Sequence, residues 1–261
     1  MRVSLLITCV VDVLSPDVGE ASVRVLRAAG CDVTVNLDQT CCGQPGWNAG
    51  FAPEAAKVAR ATLAALEADL AAGAEAVVVP AGSCATMVRV FWPELFEVVG
   101  DHEAAARARA VGERTRELSE FLASRAGALG PLRLPAPRTV ALHASCHMLR
   151  ELRIVDAPGA LVGAVDGCSA VEWEGADRCC GFGGTFSVKL PEASVAMADE
   201  KLRAVAAASP APDLLVGCDS SCLMHLAARA EATGRPVEVR HLAEVVAAAL
   251  PPDAPAAGPR P

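Results

Sequence analysis

The 261-residue chain has no tyrosine, only three lysines, and six Phe and three Trp as its aromatic residues. It also lacks positive charge: 31 acidic residues stand against 23 Lys and Arg, for a formal net charge of −8. A nucleic-acid binder needs a basic stripe, so this balance argues against that class. No uninterrupted apolar stretch reaches the roughly 20 residues of a membrane span, and no transmembrane segment is expected. The N-terminal apolar run Met1–Val11 is broken by Asp12, and no small-residue cleavage site follows. It reads as a first strand rather than a signal peptide. With 52% apolar and 21% charged residues, the composition excludes a disordered or collagen-like chain. Much of the apolar share is alanine and arginine far outnumbers lysine, a GC-rich codon bias rather than a functional signal. The length suits one large domain or two small ones.

Cysteine, by contrast, is abundant. There are 11, an odd number that cannot all pair within the chain. With no secretory signal read, the expected compartment is a reducing cytoplasm, where clustered thiols mean metal or redox chemistry. Laid against one another, the cysteines expose an internal duplication. Cys9 is followed after 31 residues by Cys41-Cys42-Gly43, and after 40 more by Cys84. Cys146 is followed after 32 residues by Cys179-Cys180-Gly181, and again after 40 by Cys222. Both pairs continue as C-C-G-x-x-G, ending at Gly46 and Gly184, and both final cysteines follow a serine, Ser83 and Ser221. The chain is two copies of one unit, offset by about 138 residues.

Each copy reads as alternating strand and helix. Expected strands are 3–8, 31–37 and 76–79 in the first copy, and 139–144, 170–173 and 214–216 in the second. Pro53 and Pro191 open the longest helices, a position where proline costs nothing. The pattern predicts an α/β fold, a tandem duplication of a Rossmann-like parallel-sheet unit. The division is a first unit over 1–100, a helical insert and linker over 101–137, a second unit over 138–250, and a disordered tail over 251–261.

In each copy one cysteine follows the first strand, the pair follows the second, and the last follows the third. Parallel strands bring those C-terminal ends to one edge, where open α/β sheets place their ligand sites. Cys9, Cys41, Cys42 and Cys84 are therefore expected to converge, and likewise Cys146, Cys179, Cys180 and Cys222. Cys31 and Cys168 begin their strands at the opposite edge, roughly 20 Å away, and read as small buried apolar residues. Four thiolates hold an iron–sulfur cluster or a structural zinc. Zinc sites usually use C-x-x-C knuckles, and the chain has none. Long spacing with adjacent cysteines and flexible glycines favours the cluster, with zinc still open for one half. A vicinal disulfide explains neither Cys9 nor Cys84.

The duplicated C-C-G signature is specific. Asp38-Gln-Thr-Cys-Cys-Gly-Gln-Pro45, Pro80-Ala-Gly-Ser-Cys84, His143-Ala-Ser-Cys-His147 with Arg150, Cys179-Cys-Gly-Phe-Gly-Gly-Thr-Phe186 and Cys222-Leu-Met224 carry a resemblance. It is to the cysteine-rich CCG-domain iron–sulfur proteins and, over nearly the whole chain, to the lactate utilization protein A family. More distantly it is to the glycolate oxidase iron–sulfur subunit and to the cysteine-rich subunit of heterodisulfide reductase. The resemblance implies a cytoplasmic component of L-lactate oxidation carrying one or two clusters, 4Fe-4S in type. Its implied partners are a ferredoxin-like iron–sulfur subunit and a third lactate-utilization protein.

One departure stands out. In the heterodisulfide reductase subunit each repeat ends in C-x-x-C and supplies five cysteines to a non-cubane cluster. Here the extra position holds Ala81 in one copy and Asp219 in the other, while Cys218 stands one residue earlier. Four ligands per half are expected, with Cys218 or Asp219 as an addition in the second. His143 and His147 flank Cys146 and read either as ligands or proton donors, or as histidines satisfied by nearby backbone. Gly181-Phe-Gly-Gly184 lacks the full phosphate-loop pattern and reads as a cluster cradle. No catalytic residue is assigned, because no flavin site or acid–base pair is recognisable. The expected role is electron transfer. The rivals are a catalytic thiol/disulfide reductase subunit and a non-catalytic zinc-stabilised interaction module.

Overall fold

The computed structural model describes residues 1–252 and 254. In the first half, strands β1 (Arg2–Leu5), β2 (Asp32–Thr34), β3 (Ala76–Val79) and β4 (Thr115–Glu117) form one sheet in the order β2-β1-β3-β4. In the second, β5 (Leu132–His143), β6 (Val165–Val171), β7 (Leu214–Gly217) and β8 (Val239–His241) repeat it as β6-β5-β7-β8. Every strand pair is parallel. The fold is α/β, a tandem duplication of a Rossmann-like unit. Parallel sheets are covered on both faces, so central strands need unbroken apolar runs. Ala-Val-Val-Val in β3 and Leu-Leu-Val-Gly in β7 meet that need and are wholly buried.

The duplication extends to register. Val3 pairs with Ala76 in one sheet, and Val140 pairs with Leu214 in the other. The halves also meet symmetrically. Helix Pro16–Ala28 packs on Leu242–Ala248, and Ala157–Gly163 packs on Leu118–Ala123, so the same kinds of helix touch twice. This is the self-complementary logic of a two-fold dimer built into one chain. One apolar core runs through both halves, including Val25 and Leu26 with Val245 and Val246. A smaller cluster lies under the second cysteine group, around Ala141, Leu215 and Leu226.

Three expectations need correction. The helical insert read within 101–137 contains a fourth strand, β4, between helices His102–Glu113 and Leu118–Ala123. Its sequence Thr-Arg-Glu is polar and only three residues long, at a sheet edge, and shows no alternation. The linker read up to Pro137 is strand from Leu132 on. Leu132 and Arg133 pair with β6, then the register shifts before Arg138 resumes. Pro135 and Pro137 lie in that gap and lack the N–H a ladder needs, which suits a bulge. Cys168 sits mid-strand in β6 rather than at its start. The disordered-tail reading over 251–261 falls, apart from residues 251, 252 and 254, outside the described residues. Among the described residues, no helix is long and apolar enough to cross a membrane.

Candidate metal centre

Each sheet delivers its cysteines at the C-terminal ends of its strands. Cys9 opens helix Cys9–Leu14 after β1, whose preceding Thr8 caps it by accepting from the Val11 N–H. Cys41 and Cys42 lie in the turn after β2, and Cys84 lies in helix Gly82–Thr86 after β3. The sulfurs converge: Cys9 Sγ is 3.5 Å from Cys41 Sγ, and Cys42 Sγ is 3.3 Å from Cys84 Sγ. In the second half Cys146, Cys179, Cys180 and Cys222 form the same chain of thiol contacts. All 11 cysteines are free thiols.

The glycine after each pair is a geometric requirement. Gly43 and Gly181 have φ of +87° and +91°, a region L side chains rarely adopt. A Cβ at Gly43 would lie 2.7 Å from the Ala55 carbonyl oxygen, and one at Gly181 only 2.4 Å from that of Ser194. The turn thereby packs against the next long helix and points amides at sulfur. Gly43 N–H donates to Cys41 Sγ (3.5 Å), Gly181 N–H to Cys179 Sγ (3.4 Å), and Phe182 N–H to Cys180 Sγ (3.5 Å). Buried Trp92 fixes the first turn from below, its Nε1–H donating to the Cys42 carbonyl at 2.8 Å.

Charge is distributed alike in the two groups. Hydrogen bonds from Cys42 and Cys9, with the Gly43 amide, pull the Cys41 thiol down to about 3. Cys146 and Cys180, with the Gly181 amide, pull Cys179 down to about 2. The donors are pushed up in return: Cys9 and Cys42 by Cys41, and Cys146 and Cys180 by Cys179. In each group the first cysteine of the pair is the thiol whose pKa is pulled down. Soft sulfur donors at this density, with amides aimed at them, fit an iron–sulfur cluster or a thiolate-bound metal.

His143 strengthens that fit in the second half. It is buried, and neither ring nitrogen has a hydrogen-bond partner. A ring nitrogen and the sulfurs of Cys180 and Cys222 lie within 4.8 Å of one another. Desolvation first, and then the Lys201 ammonium, hold its pKa down at about 3, so the imidazole is neutral and has a lone pair to give. A cavity of about 450 Å³, large enough for a small organic molecule, opens beside it between Ser145, Met148, Ile154 and Asp156. His147 is placed differently: its Nδ1 meets Glu151 at 3.2 Å and its Nε2 lies 3.4 Å from Gln44 of the first half.

Cys218 and Asp219 turn away from the second group. The Cys218 thiol is buried beside Ser119 and Glu117 of the first half, and burial pushes it well up. Its carbonyl accepts from Gly82 N–H at 3.2 Å, and the Asp219 carboxylate accepts from Ser83 N–H at 2.8 Å. Helix Gly82–Thr86 has Ala81 at its N-cap, which has no acceptor to offer. The opposite half supplies the cap in its place. Cys31 precedes β2 and Cys168 lies within β6, and neither has another cysteine among the groups acting on its thiol.

Sequence reasoning missed Lys201. Its Nζ donates to the carbonyls of Gly175 (3.0 Å), Ala176 (3.1 Å) and Arg178 (2.5 Å), bracing the loop that leads into Cys179. A lysine in an Ala-rich helix where the first copy has Leu63 was the available signal.

Comparison with known proteins agrees with the geometry. The cysteine-rich domain family known as CCG matches residues 3–89 and 140–227, one match per sheet. A lactate utilization protein A from Exiguobacterium sp. is 43% identical over 250 residues, covering 94% of this chain and 96% of that protein. Proteins of the same name from Anoxybacillus flavithermus and Bacillus cytotoxicus are 40% and 38% identical, each over 94% of this chain and 99% and 98% of their own lengths.

Proposed function

The chain belongs to the CCG cysteine-rich family, in its lactate utilization protein A branch, and from that premise we propose that it serves lactate utilization as an iron–sulfur electron-transfer component. One observation carries the reading: two sets of four free thiols converge at equivalent strand ends, each over a glycine turn whose amide points at sulfur. Cys9, Cys41, Cys42 and Cys84 hold one cluster, and Cys146, Cys179, Cys180 and Cys222 the other. A bound cluster supplies one-electron chemistry. The chain's own residues hold thiolate charge, donate N–H to sulfur, and keep Cys42, Cys180 and Cys222 out of water. His143 is an additional ligand or hydrogen-bond donor at the second site.

Electrons arrive from and leave to partners, a ferredoxin-like iron–sulfur subunit and a third lactate-utilization protein. Eleven free cysteines call for a reducing cytoplasm. The cavity beside His143 favours a second reading, a catalytic subunit that reduces a disulfide-type substrate at the second site.

Anaerobic purification with iron, sulfide and zinc analysis, followed by EPR of the reduced protein, tests the proposal. Cys42→Ser and Cys180→Ser should each abolish the signal of one site, and Cys31→Ser should leave both. Stoichiometric zinc with no labile sulfide overturns the cluster reading in favour of a zinc-stabilised module.

A further inference from the structure

The two copies differ systematically around their cysteine groups. Counting from the matched cysteines, Leu6, Leu63 and Met87 of the first copy correspond to His143, Lys201 and His225 of the second. The strand registers Val3–Ala76 and Val140–Leu214 hold the same correspondence in space. All three first-copy residues are buried apolar side chains. In the second copy all three are basic residue types, and two of them, His143 and Lys201, are buried as well.

Lys201 is the residue of consequence. It is 1% exposed, in the helix Pro191–Ala206 that covers the second sheet. Three carbonyls take its three protons, and the Trp173 ring lies 5.0 Å from Nζ. A buried ammonium is tolerated only when hydrogen-bonded in this way. Its contacts place it at the second cysteine group: Arg178, whose carbonyl it meets, precedes Cys179, and Trp173 packs on the cluster that contains Cys180 and Cys222. Burial lowers its pKa to about 8, and the neighbouring cysteines oppose that shift.

We propose that Lys201 makes the second cysteine group the electropositive one of the two, so that it holds negative charge more readily than the first. With clusters in place, which rests on the function proposed above, an electron given to the protein then resides on the second site. The physical reason is general. A fixed cation in a low-dielectric surrounding stabilises whichever state of a nearby centre is more negative, and that raises its reduction potential. The same field favours binding of a divalent metal, because four thiolates around it carry net negative charge.

The test uses full-length single-site chains, Cys180→Ser (first group intact) and Cys42→Ser (second group intact). Metal-free protein is titrated with cobalt(II) and followed by thiolate-to-cobalt absorbance. The second group is expected to bind more tightly than the first. Lys201→Met in the Cys42→Ser chain is expected to weaken it about tenfold, Lys201→Arg to keep the affinity, and Lys201→Met in the Cys180→Ser chain to change nothing. In cluster-loaded protein, potentiometric EPR should find the second site at the higher potential and Lys201→Met should lower it. Equal affinities at the two groups, or a Lys201→Met effect on both or neither, overturn the proposal. If circular dichroism shows that Lys201→Met does not fold, Lys201→Gln takes its place in both single-site chains, with the same expected outcomes. A protein that takes up cobalt but never labile sulfide refutes the cluster function and leaves the cobalt comparison to judge Lys201.

Discussion

Replacing the glycine after each cysteine pair by alanine isolates the feature that shapes both sites. Gly30, Gly43 and Gly181 all have positive φ, of +79°, +87° and +91°. Forcing an L residue into that region costs about 1–2 kcal/mol, a cost common to all three. Their surroundings differ. A Cβ at Gly30 meets nothing within 4 Å, whereas at Gly43 it meets the Ala55 carbonyl oxygen at 2.7 Å. At Gly181 it meets the Ser194 oxygen at 2.4 Å and the Met197 Cβ at 3.1 Å. Backbone cannot rotate aside as a side chain does, so overpacking adds about 1–3 kcal/mol. At Gly181 the Ser194 Oγ–H bond to the glycine carbonyl, 2.7 Å long, is also put at risk, for about 1 kcal/mol more. The expected order of destabilisation is Gly181→Ala, then Gly43→Ala, then Gly30→Ala, at about 3–6, 2–5 and 1–2 kcal/mol. Urea unfolding of the metal-free protein measures it. Iron and sulfide content should fall for the first two variants and stay level for Gly30→Ala. If Gly181→Ala is no less stable than Gly30→Ala, close approach of the turn to the next helix is not why glycine stands there.

Two further outcomes rest on buried polar groups. Trp92→Phe keeps the ring but leaves the Cys42 carbonyl without its 2.8 Å donor. The expected loss is about 1–3 kcal/mol, with a changed EPR signal at the first site and an unchanged one at the second. Burial raises Glu117 from its ordinary 4.5 to about 7, and its Oε1 has no hydrogen-bond partner. A raised acid favours the folded state below its unfolded pKa and loses that contribution as pH rises through the folded value. Stability should therefore fall between about pH 4.5 and 7 by on the order of 3 kcal/mol from this group. Glu117→Gln should flatten that limb in denaturant melts taken across the range. An unchanged slope would mean Glu117 is not the titrating group.

The duplication, the parallel α/β architecture and the convergence of eight cysteines were legible from the order of residues alone. The warrant was local: apolar runs define central strands, and parallel strands must carry the residues after them to one edge. β3 was legible to the residue because Ala-Val-Val-Val has to be buried on both faces. β4 was not, because Thr-Arg-Glu is an edge strand held by pairing with β3 rather than by any pattern of its own. The remaining polar residues found their places only in the assembled fold. Cys218 and Asp219 stand four and three residues before Cys222, yet they serve the opposite half, because the two strand ends β3 and β7 abut across the internal two-fold. Lys201 and His143 lie 58 residues apart in the chain and meet under one cysteine group. Periodicity reports which face of an element turns inward. What a buried charge or imidazole finds there depends on elements far away in the chain, and that is why the two halves, so alike in spacing, differ in the side chains around their cysteines.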